Sequence, residues 1–287
     1  MRPDVAPFHD SATGTWSYVV SDPATRAAAI LDPVLDFDPK SARTSHASAD
    51  ALLEHVRAQG LKVEWLLETH AHADHLSGAQ WLRERLPGAT VAMGNGIRQT
   101  QRSFAPVFGF GDDVPTDGSQ FDHLFDADDR FRLGDIDVQV IAAPGHTADC
   151  VAYLIGDALF CGDTLFMPDA GTARTDFPNA DAATLYRTIR AFHALPDDTR
   201  VFVCHDYGPN GREVACETTI GAQKRENIHL REDTSEADYV AMRKARDATL
   251  PMPALILPAL QVNLRAGALP PPSGNGVRYL RIPLDRV

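Results

Sequence analysis

The stretch Thr69-His-Ala-His-Ala-Asp-His75 sets three imidazoles and one carboxylate within seven residues, directly behind the apolar-rich run Lys62-Val-Glu-Trp-Leu-Leu-Glu68. On a turn, such a spacing lets four side chains converge on one or two cations, because imidazole nitrogen and carboxylate oxygen are ordinary ligands of zinc and non-haem iron. Three further segments repeat the context: Pro144-Gly-His-Thr147, Cys161-Gly-Asp-Thr164 and Val203-Cys-His-Asp206. Each follows an apolar run and carries small or turn-forming neighbours. A strand that ends in glycine keeps a ligand on a rigid sheet while the backbone leaves sharply. Any one of these histidines alone reads more readily as a hydrogen-bonded structural residue than as a ligand. Together, His70, His72, His75, His146 and His205 with Asp74 and Asp163 occupy four similar turns, and burying so many polar groups without a cation is costly. His9, His46, His55, His123, His193 and His229 are assigned to surface or packing roles.

The elements that must position these turns follow from periodicity. Trp16–Val20 and Ala27–Leu31 read as strands, and the Asp-, Pro- and Ser-rich stretch 32–47 as a loop. A helix capped by Ser48 and closed by Gly60 carries Leu52, Leu53 and Val56 on one face, and an apolar strand follows at Val63–Leu67. Leu76–Leu86 has helical spacing up to Pro87-Gly88, which puts the histidine cluster in a turn between a strand and a helix. Val91–Gly94 reads as a strand and Gly96–Phe104 as a helical piece within the irregular segment 95–129. Phe131–Ile141 and Val151–Cys161 read as hairpins around Gly134-Asp135 and Gly156-Asp157. Asp181 opens a helix, Arg200–Cys204 is a strand, and helices are expected at Glu217–Leu230 and at Ser235–Thr249, the latter with a capping-box pattern. The Pro-rich tail holds one β-like stretch, Leu255–Val262. Two packed sheets with helices outside fit this order. One domain over 1–287 is expected, with a helical and Pro-rich extension from about 217.

Composition bounds the partners. The 287 residues carry 39 acidic and 27 basic side chains, a formal charge of −12, which disfavours nucleic acid and anionic membranes. The first residues form no apolar leader, and no run approaches the ~18 uncharged apolar residues needed to span a bilayer, so a cytoplasmic protein without membrane contact is expected. Cys150, Cys161, Cys204 and Cys216 fall in no CxxC pair, which argues against a disulfide scaffold.

HAHADH, PGHT, GDT and CHD in this order resemble the metallo-β-lactamase superfamily, an α/β fold built as an αββα sandwich with metals at one edge. The resemblance matches His70, His72 and His146 to one metal position, Asp74, His75 and His205 to a second, and Asp163 to the carboxylate between them. Within the superfamily, Thr172-Ala-Arg-Thr-Asp-Phe177, Cys204-His-Asp-Tyr207 and Pro258-Ala-Leu-Gln-Val-Asn-Leu-Arg-Ala-Gly267 resemble the persulfide dioxygenases, also called sulfur dioxygenases or ethylmalonic-encephalopathy-protein-like enzymes. The likeness runs from about Gly14 to about Gly267. A Cys-Gly pair that such enzymes often carry before the arginine is replaced here by Gly171-Thr-Ala173. Stretches 32–47 and 95–129 look like insertions, similar to those of a bacterial branch described as β-lactamase-like hydrolases.

This likeness implies one Fe(II) per chain held by the catalytic residues His70, His146 and Asp163, with glutathione persulfide and O₂ converted to sulfite and glutathione. His72, Asp74, His75 and His205 would surround those ligands or hold a second metal. Arg174 and Tyr207 are the candidate substrate-binding residues, and a homodimer is implied. The alternative is a glyoxalase II-like hydrolase, with two Zn(II) activating water against a glutathione thioester. A non-catalytic metal-bearing sensor is a third reading, and an exported β-lactamase conflicts with the absent leader.

Overall fold

The computed structural model describes residues 2–286. One six-stranded sheet runs in the order β1-β2-β3-β6-β8-β9, formed by β1 (Asp4–Asp10), β2 (Thr15–Ser21), β3 (Ala27–Leu31), β6 (Lys62–Leu67), β8 (Thr90–Gly94) and β9 (His123–Phe125). A second follows chain order through β10 (Arg130–Leu133), β11 (Ile136–Ala142), β12 (Val151–Ile155), β13 (Ala158–Phe160), β14 (Arg200–Phe202) and β15 (Glu217–Thr219). A small third sheet pairs β5 (Arg43–Ser45) with β4 (Val34–Asp38), and β4 with β7 (Leu76–Ser77).

Alternation along the central strands explains the layering. In β3, Ala27, Ala29 and Leu31 face the second sheet and pack with Val138, Val140, Tyr153 and Phe160. Ala28 and Ile30 face outward into a core built with α1 (Ala47–Ala58), α2 (Ala79–Arg83), α3 (Ile97–Phe108) and α7 (Ile256–Asn263). On the far side of the second sheet, Leu159, Cys161 and Val201 pack against α4 (Ala182–His193), α5 (Ile220–Glu226) and α6 (Glu236–Asp247). A strand buried on both faces must be apolar at every position, as β3 is. The result is an αββα sandwich.

Several elements differ from their sequence reading. Stretch 32–47 is not a loop but holds the β4–β5 hairpin, whose pairing with β7 supplies a partner that local composition does not reveal. The first helix starts at Ala47 rather than being capped by Ser48; Asp36 on β4 accepts from Ser48 N at 3.1 Å and Ser48 Oγ at 2.7 Å. Leu76 and Ser77 leave the expected helix to pair with β4, so only Ala79–Arg83 is helical. Glu217–Thr219 extends the second sheet before α5 begins under a cap from the Thr219 hydroxyl. Leu255–Val262 is helical, not extended. Ile256, Ala259, Leu260, Gln261, Val262 and Asn263 are all buried, and burial on every side erases the helical period. The edge strand β1 escaped notice because its buried and exposed residues do not alternate.

Candidate metal centre

Strand direction brings the turns together. β3 is parallel to β6, and β11, β13 and β14 share one direction because β12 is antiparallel to both β11 and β13, while β13 and β14 are parallel. Asp32 and the cluster from His70 follow the carboxyl ends of β3 and β6; His146, Asp163 and His205 follow those of β11, β13 and β14. Such ends are where sheets of this kind place ligands. Three main-chain bonds tie the sheets at this edge: Val151 N to Thr69 O at 2.9 Å, Trp16 N to Cys204 O at 2.7 Å and Asp206 N to Gly14 O at 3.2 Å. Glycine is required in two of the turns. Gly145 has φ +132° and a Cβ there would sit 2.4 Å from Leu185 Cα, while Gly162 has φ +52° and lies against Thr69.

His70, His146 and Asp163 each bring one ligand atom within 4.8 Å of the others. His70 Nε2 and His146 Nε2 stand 3.9 and 3.6 Å from Asp163 Oδ2. A second group with the same reach contains His72, Asp74, His75 and His205. His205 Nε2 lies 3.0 Å from Asp74 Oδ2 and 3.3 Å from Asp163 Oδ1, so Asp163 touches both groups. Despite these distances, His70 Nε2, His72 Nδ1, His75 Nε2, His205 Nε2, Asp74 Oδ2 and Asp163 Oδ1 are buried with no hydrogen-bond partner. Buried polar atoms are rarely left unpaired. Atoms that lie close without bonding one another and point into a shared space fit metal coordination, so the donor set suits one or two cations.

The surrounding hydrogen bonds fix which nitrogen each ring presents. The Thr69 hydroxyl donates to Asp32 Oδ2 at 3.0 Å, so its oxygen accepts from His70 Nδ1 at 3.1 Å and leaves a lone pair on Nε2. His146 Nδ1 donates to Arg174 O at 2.9 Å, with the same result. The Thr13 hydroxyl donates to Asp10 at 2.6 Å; Thr15 can then donate to Thr13 and accept from His75 Nδ1 at 3.3 Å and His205 Nδ1 at 3.5 Å. His72 is reversed: its Nε2 sits 3.0 Å from Asp32 Oδ1, so Nδ1 faces the ligand group. Tautomer control of this kind raises ligand basicity and holds ring orientation.

Charge follows the same pattern. Burial and the neighbouring imidazoles hold His70 well below the usual histidine range. Burial also opposes protonation of His72, yet the Asp32 and Glu68 carboxylates carry it well above that range. Glu68 is itself raised by burial and takes a hydrogen bond from Ser77 Oγ. Cys161 is pushed up to about 12 by burial, which leaves it an inert thiol beside the site.

The main chain of the ligand turn is held from outside. Asp149 accepts from Ala71 N and Thr100 Oγ1, each at 2.6 Å. Asn263 on α7 donates to His72 O and His75 O, each at 2.8 Å, and accepts from Ser77 N at 2.8 Å. The supporting roles of Asp32, Thr15, Asp149, Thr69 and Asn263 are not among those expected from the sequence. Asp32 carried a usable signal, since it follows an apolar strand just as the ligand turns do. Thr15 and Asp149 carried none.

The two substrate candidates sit differently. The Arg174 guanidinium is engaged by both Asp176 oxygens at 2.6 and 2.7 Å and by Pro251 O at 2.7 Å, so it is not a free cation. Its carbonyl, rather than its charge, meets the site. Tyr207 is exposed, with its ring parallel to His205 at 6.0 Å between centroids.

A family model described as the metallo-beta-lactamase superfamily matches residues 11–205, a span that contains every ligand named above. The chain belongs to the metallo-beta-lactamase superfamily. Among superfamily members, a probable metallo-hydrolase of Burkholderia pseudomallei is 50% identical over 98% of each chain. The beta-lactamase hydrolase-like protein of Agrobacterium fabrum is 51% identical over 99% of this chain, which spans 65% of that protein's length. Some relatives carry names that specify a reaction more closely. Glyoxylase B2 of Dictyostelium discoideum is 46% identical over 98% of this chain and 96% of its own, and mouse mitochondrial persulfide dioxygenase ETHE1 is 29% identical over 90% and 87%. The crystal structure of ETHE1 from Myxococcus xanthus matches with a TM-score of 0.73 and 32% identity, covering 92% of this chain and 100% of that one. No helix among the described residues is long and apolar enough to cross a membrane.

Proposed function

We propose that this superfamily member is a persulfide dioxygenase that oxidises glutathione persulfide with O₂ to sulfite and glutathione at one ferrous ion. The observation that carries the reading is the group His70, His146 and Asp163, two imidazoles and one carboxylate within reach of a single ion. Such a face leaves three of about six octahedral positions for other ligands. A ferrous ion held there supplies dioxygen activation and a soft partner for persulfide sulfur.

The chain's own residues have separable tasks. Thr69 and Arg174 O keep the Nε2 lone pairs of His70 and His146 aimed at the shared space. Asp163 brings the negative charge and, through Oδ1, touches His205 of the neighbouring group. His75 and His205, oriented by Thr15, turn their Nε2 atoms towards the neighbouring side of the site, where they would hold water by hydrogen bonds. Stacking of Tyr207 on His205 puts a hydroxyl-bearing ring at the exposed rim. The reading includes a cytoplasmic homodimer, and sedimentation of the purified chain tests the dimer.

A second reading rests on a specific observation: His72, Asp74, His75 and His205 form a complete further ligand group, and Asp163 reaches both groups. Two zinc ions there would supply activated water for cleavage of a glutathione thioester. The name of the Dictyostelium relative agrees with it. Oxygen uptake with glutathione persulfide and hydrolysis of S-lactoylglutathione, measured on one anaerobic preparation, separate the two. Uptake without thioester cleavage supports the dioxygenase; cleavage without uptake replaces it.

A further inference from the structure

Among the described residues, Arg243 on α6 is the largest side chain that is fully buried. Its guanidinium meets Asp247, one helical turn on and only 6% exposed, with Nε 2.9 Å and Nη2 2.6 Å from Oδ1. A buried ion pair is weak evidence for stability, because lost hydration offsets most of the attraction. What the pair holds gives it a purpose. Arg243 Nη1 donates to Thr172 O at 3.1 Å, and Asp247 Oδ2 accepts from Thr175 N and Thr175 Oγ1, each at 2.9 Å. Residues 173–176 belong to no strand or helix, so α6 supplies partners that a ladder would otherwise provide.

Arg174 O and Thr175 N belong to one peptide group. It is trans, so its carbonyl and its N–H point in opposite directions from a rigid plane. The carbonyl accepts from His146 Nδ1 at 2.9 Å, and the N–H donates to Asp247. Carboxylate, peptide and imidazole therefore form one series, with His146 Nε2 at its far end, 3.6 Å from Asp163 Oδ2. Hydrogen bonds in series polarise one another, by about 10–30% per bond. A carboxylate on the N–H side makes the carbonyl a stronger acceptor, and a stronger acceptor on Nδ1 makes Nε2 a better metal ligand.

We propose that Asp247, fixed by Arg243, is a positioning residue for His146 and acts on it through the Arg174–Thr175 peptide group. The arrangement lengthens the usual carboxylate–histidine–metal series by one peptide. The Arg174 side chain is off this path, since Asp176 and Pro251 O engage it. The proposal rests on His146 as a metal ligand and holds for iron and for zinc alike, so it goes beyond the choice between the two reactions.

The test is zinc affinity by chelator competition, with the ring N–H resonances of zinc-loaded, isotope-labelled protein recorded beside it. Two double variants, Arg243→Met with Asp247→Leu and Arg243→Met with Asp247→Asn, remove the pair without stranding a buried charge, so the fold is kept. The leucine variant binds zinc about tenfold or more weakly, and the asparagine variant, whose amide oxygen still accepts from Thr175 N, loses less. In both, the His146 Nδ1 proton moves upfield while that of His70 stays. Tyr239→Phe is the control: it removes another bond from α6 to this segment, the hydroxyl 2.9 Å from Thr172 Oγ1, and keeps zinc affinity within about twofold. Affinity within about twofold and an unmoved His146 resonance in the double variants overturn the proposal. Equal loss in Tyr239→Phe, or equal movement of the His70 and His146 resonances, overturns it as general loosening. Should the leucine variant fail to fold, the His146 resonance of the asparagine variant decides. Each of these failures leaves the group of His70, His146 and Asp163 standing, whereas a parent chain that binds no zinc or iron removes that group as well.

Discussion

Replacing Asn263 by alanine tests how the ligand turn is held. Asn263 is buried, and its amide makes three hydrogen bonds, to His72 O, His75 O and Ser77 N. Truncation leaves two carbonyls and one amide without partners in the interior. Each orphaned group costs about 1–3 kcal/mol, and water entering the vacated space recovers part of it, so the expected loss is about 3–5 kcal/mol. Against a total stability of about 5–15 kcal/mol that is a large fraction. At roughly 2–4 °C per kcal/mol for a chain of this size, Tm falls by roughly 6–20 °C. Because the same carbonyls belong to two ligand residues, metal affinity should fall by about tenfold or more. Asn263→Asp keeps the volume and the acceptor for Ser77 but turns two donations into repulsion, and it should cost at least as much. Thermal melts of metal-free protein and competition with a chromogenic chelator read the two effects. If both variants melt within about 1 kcal/mol of the parent and hold metal equally well, α7 does not position the turn.

Three further expectations concern other parts of the account. Thr69→Val removes the hydroxyl that sets the His70 tautomer while the Asp32 bond to Thr69 N at 2.7 Å survives; iron affinity should drop about 10–100-fold by chelator competition, and the unpaired His70 Nδ1 and Asp32 Oδ2 should cost about 1–3 kcal/mol each in a thermal melt of metal-free protein. Arg174→Ala releases Asp176 and Pro251 and loosens the carbonyl that holds His146. It should lower metal retention and leave S-methylglutathione affinity nearly unchanged, whereas a large loss of ligand affinity would return Arg174 to the substrate. Burial holds His193 and His229 down to about 4, with Arg190 near the first and Arg243 near the second adding to the effect. Both are neutral in the fold while the unfolded chain takes up protons near ~6.5, so stability is full above that value and is lost as pH falls from ~6.5 towards 4. Allowing for partial solvent access, each contributes on the order of 1 kcal/mol to that loss. Urea unfolding at pH 7 and pH 5 should show a smaller difference for His193→Leu than for the parent, and an equal difference would remove the assignment.

The ligand turns were legible because coordination chemistry leaves a dense local record. His70 to His75 stand side by side in the chain, and His146, Asp163 and His205 each follow an apolar strand. The two sheets were legible for a related reason, since alternating or wholly apolar runs such as Phe131–Ile141 and Ala27–Leu31 report their own burial. What stayed hidden depends on distant pairings. Stretch 32–47 gave no sign that β4 would find β7 about forty residues later, and the hairpin it forms walls a cavity that reaches His75. Helix α7 is apolar on all sides, so its sequence could not separate helix from strand, and the task of Asn263 appears only once that helix lies against the turn. Arg174 matched a family element by sequence, but the Asp176 two residues on decides what its charge does. Local sequence shows which groups can bind a metal; tertiary pairing decides which charges are already engaged.

The central claim is that His70, His146 and Asp163 hold a single ferrous ion that serves oxidation. Its most direct test is metal analysis of anaerobically prepared parent, Asp163→Ala and His205→Ala chains, with oxygen uptake on glutathione persulfide recorded for the same samples. The account predicts about one iron per parent chain with persulfide-dependent uptake, loss of both in Asp163→Ala, and much of the iron retained in His205→Ala. About two zinc ions per parent chain, removed by either substitution and accompanied by no oxygen uptake, would contradict it.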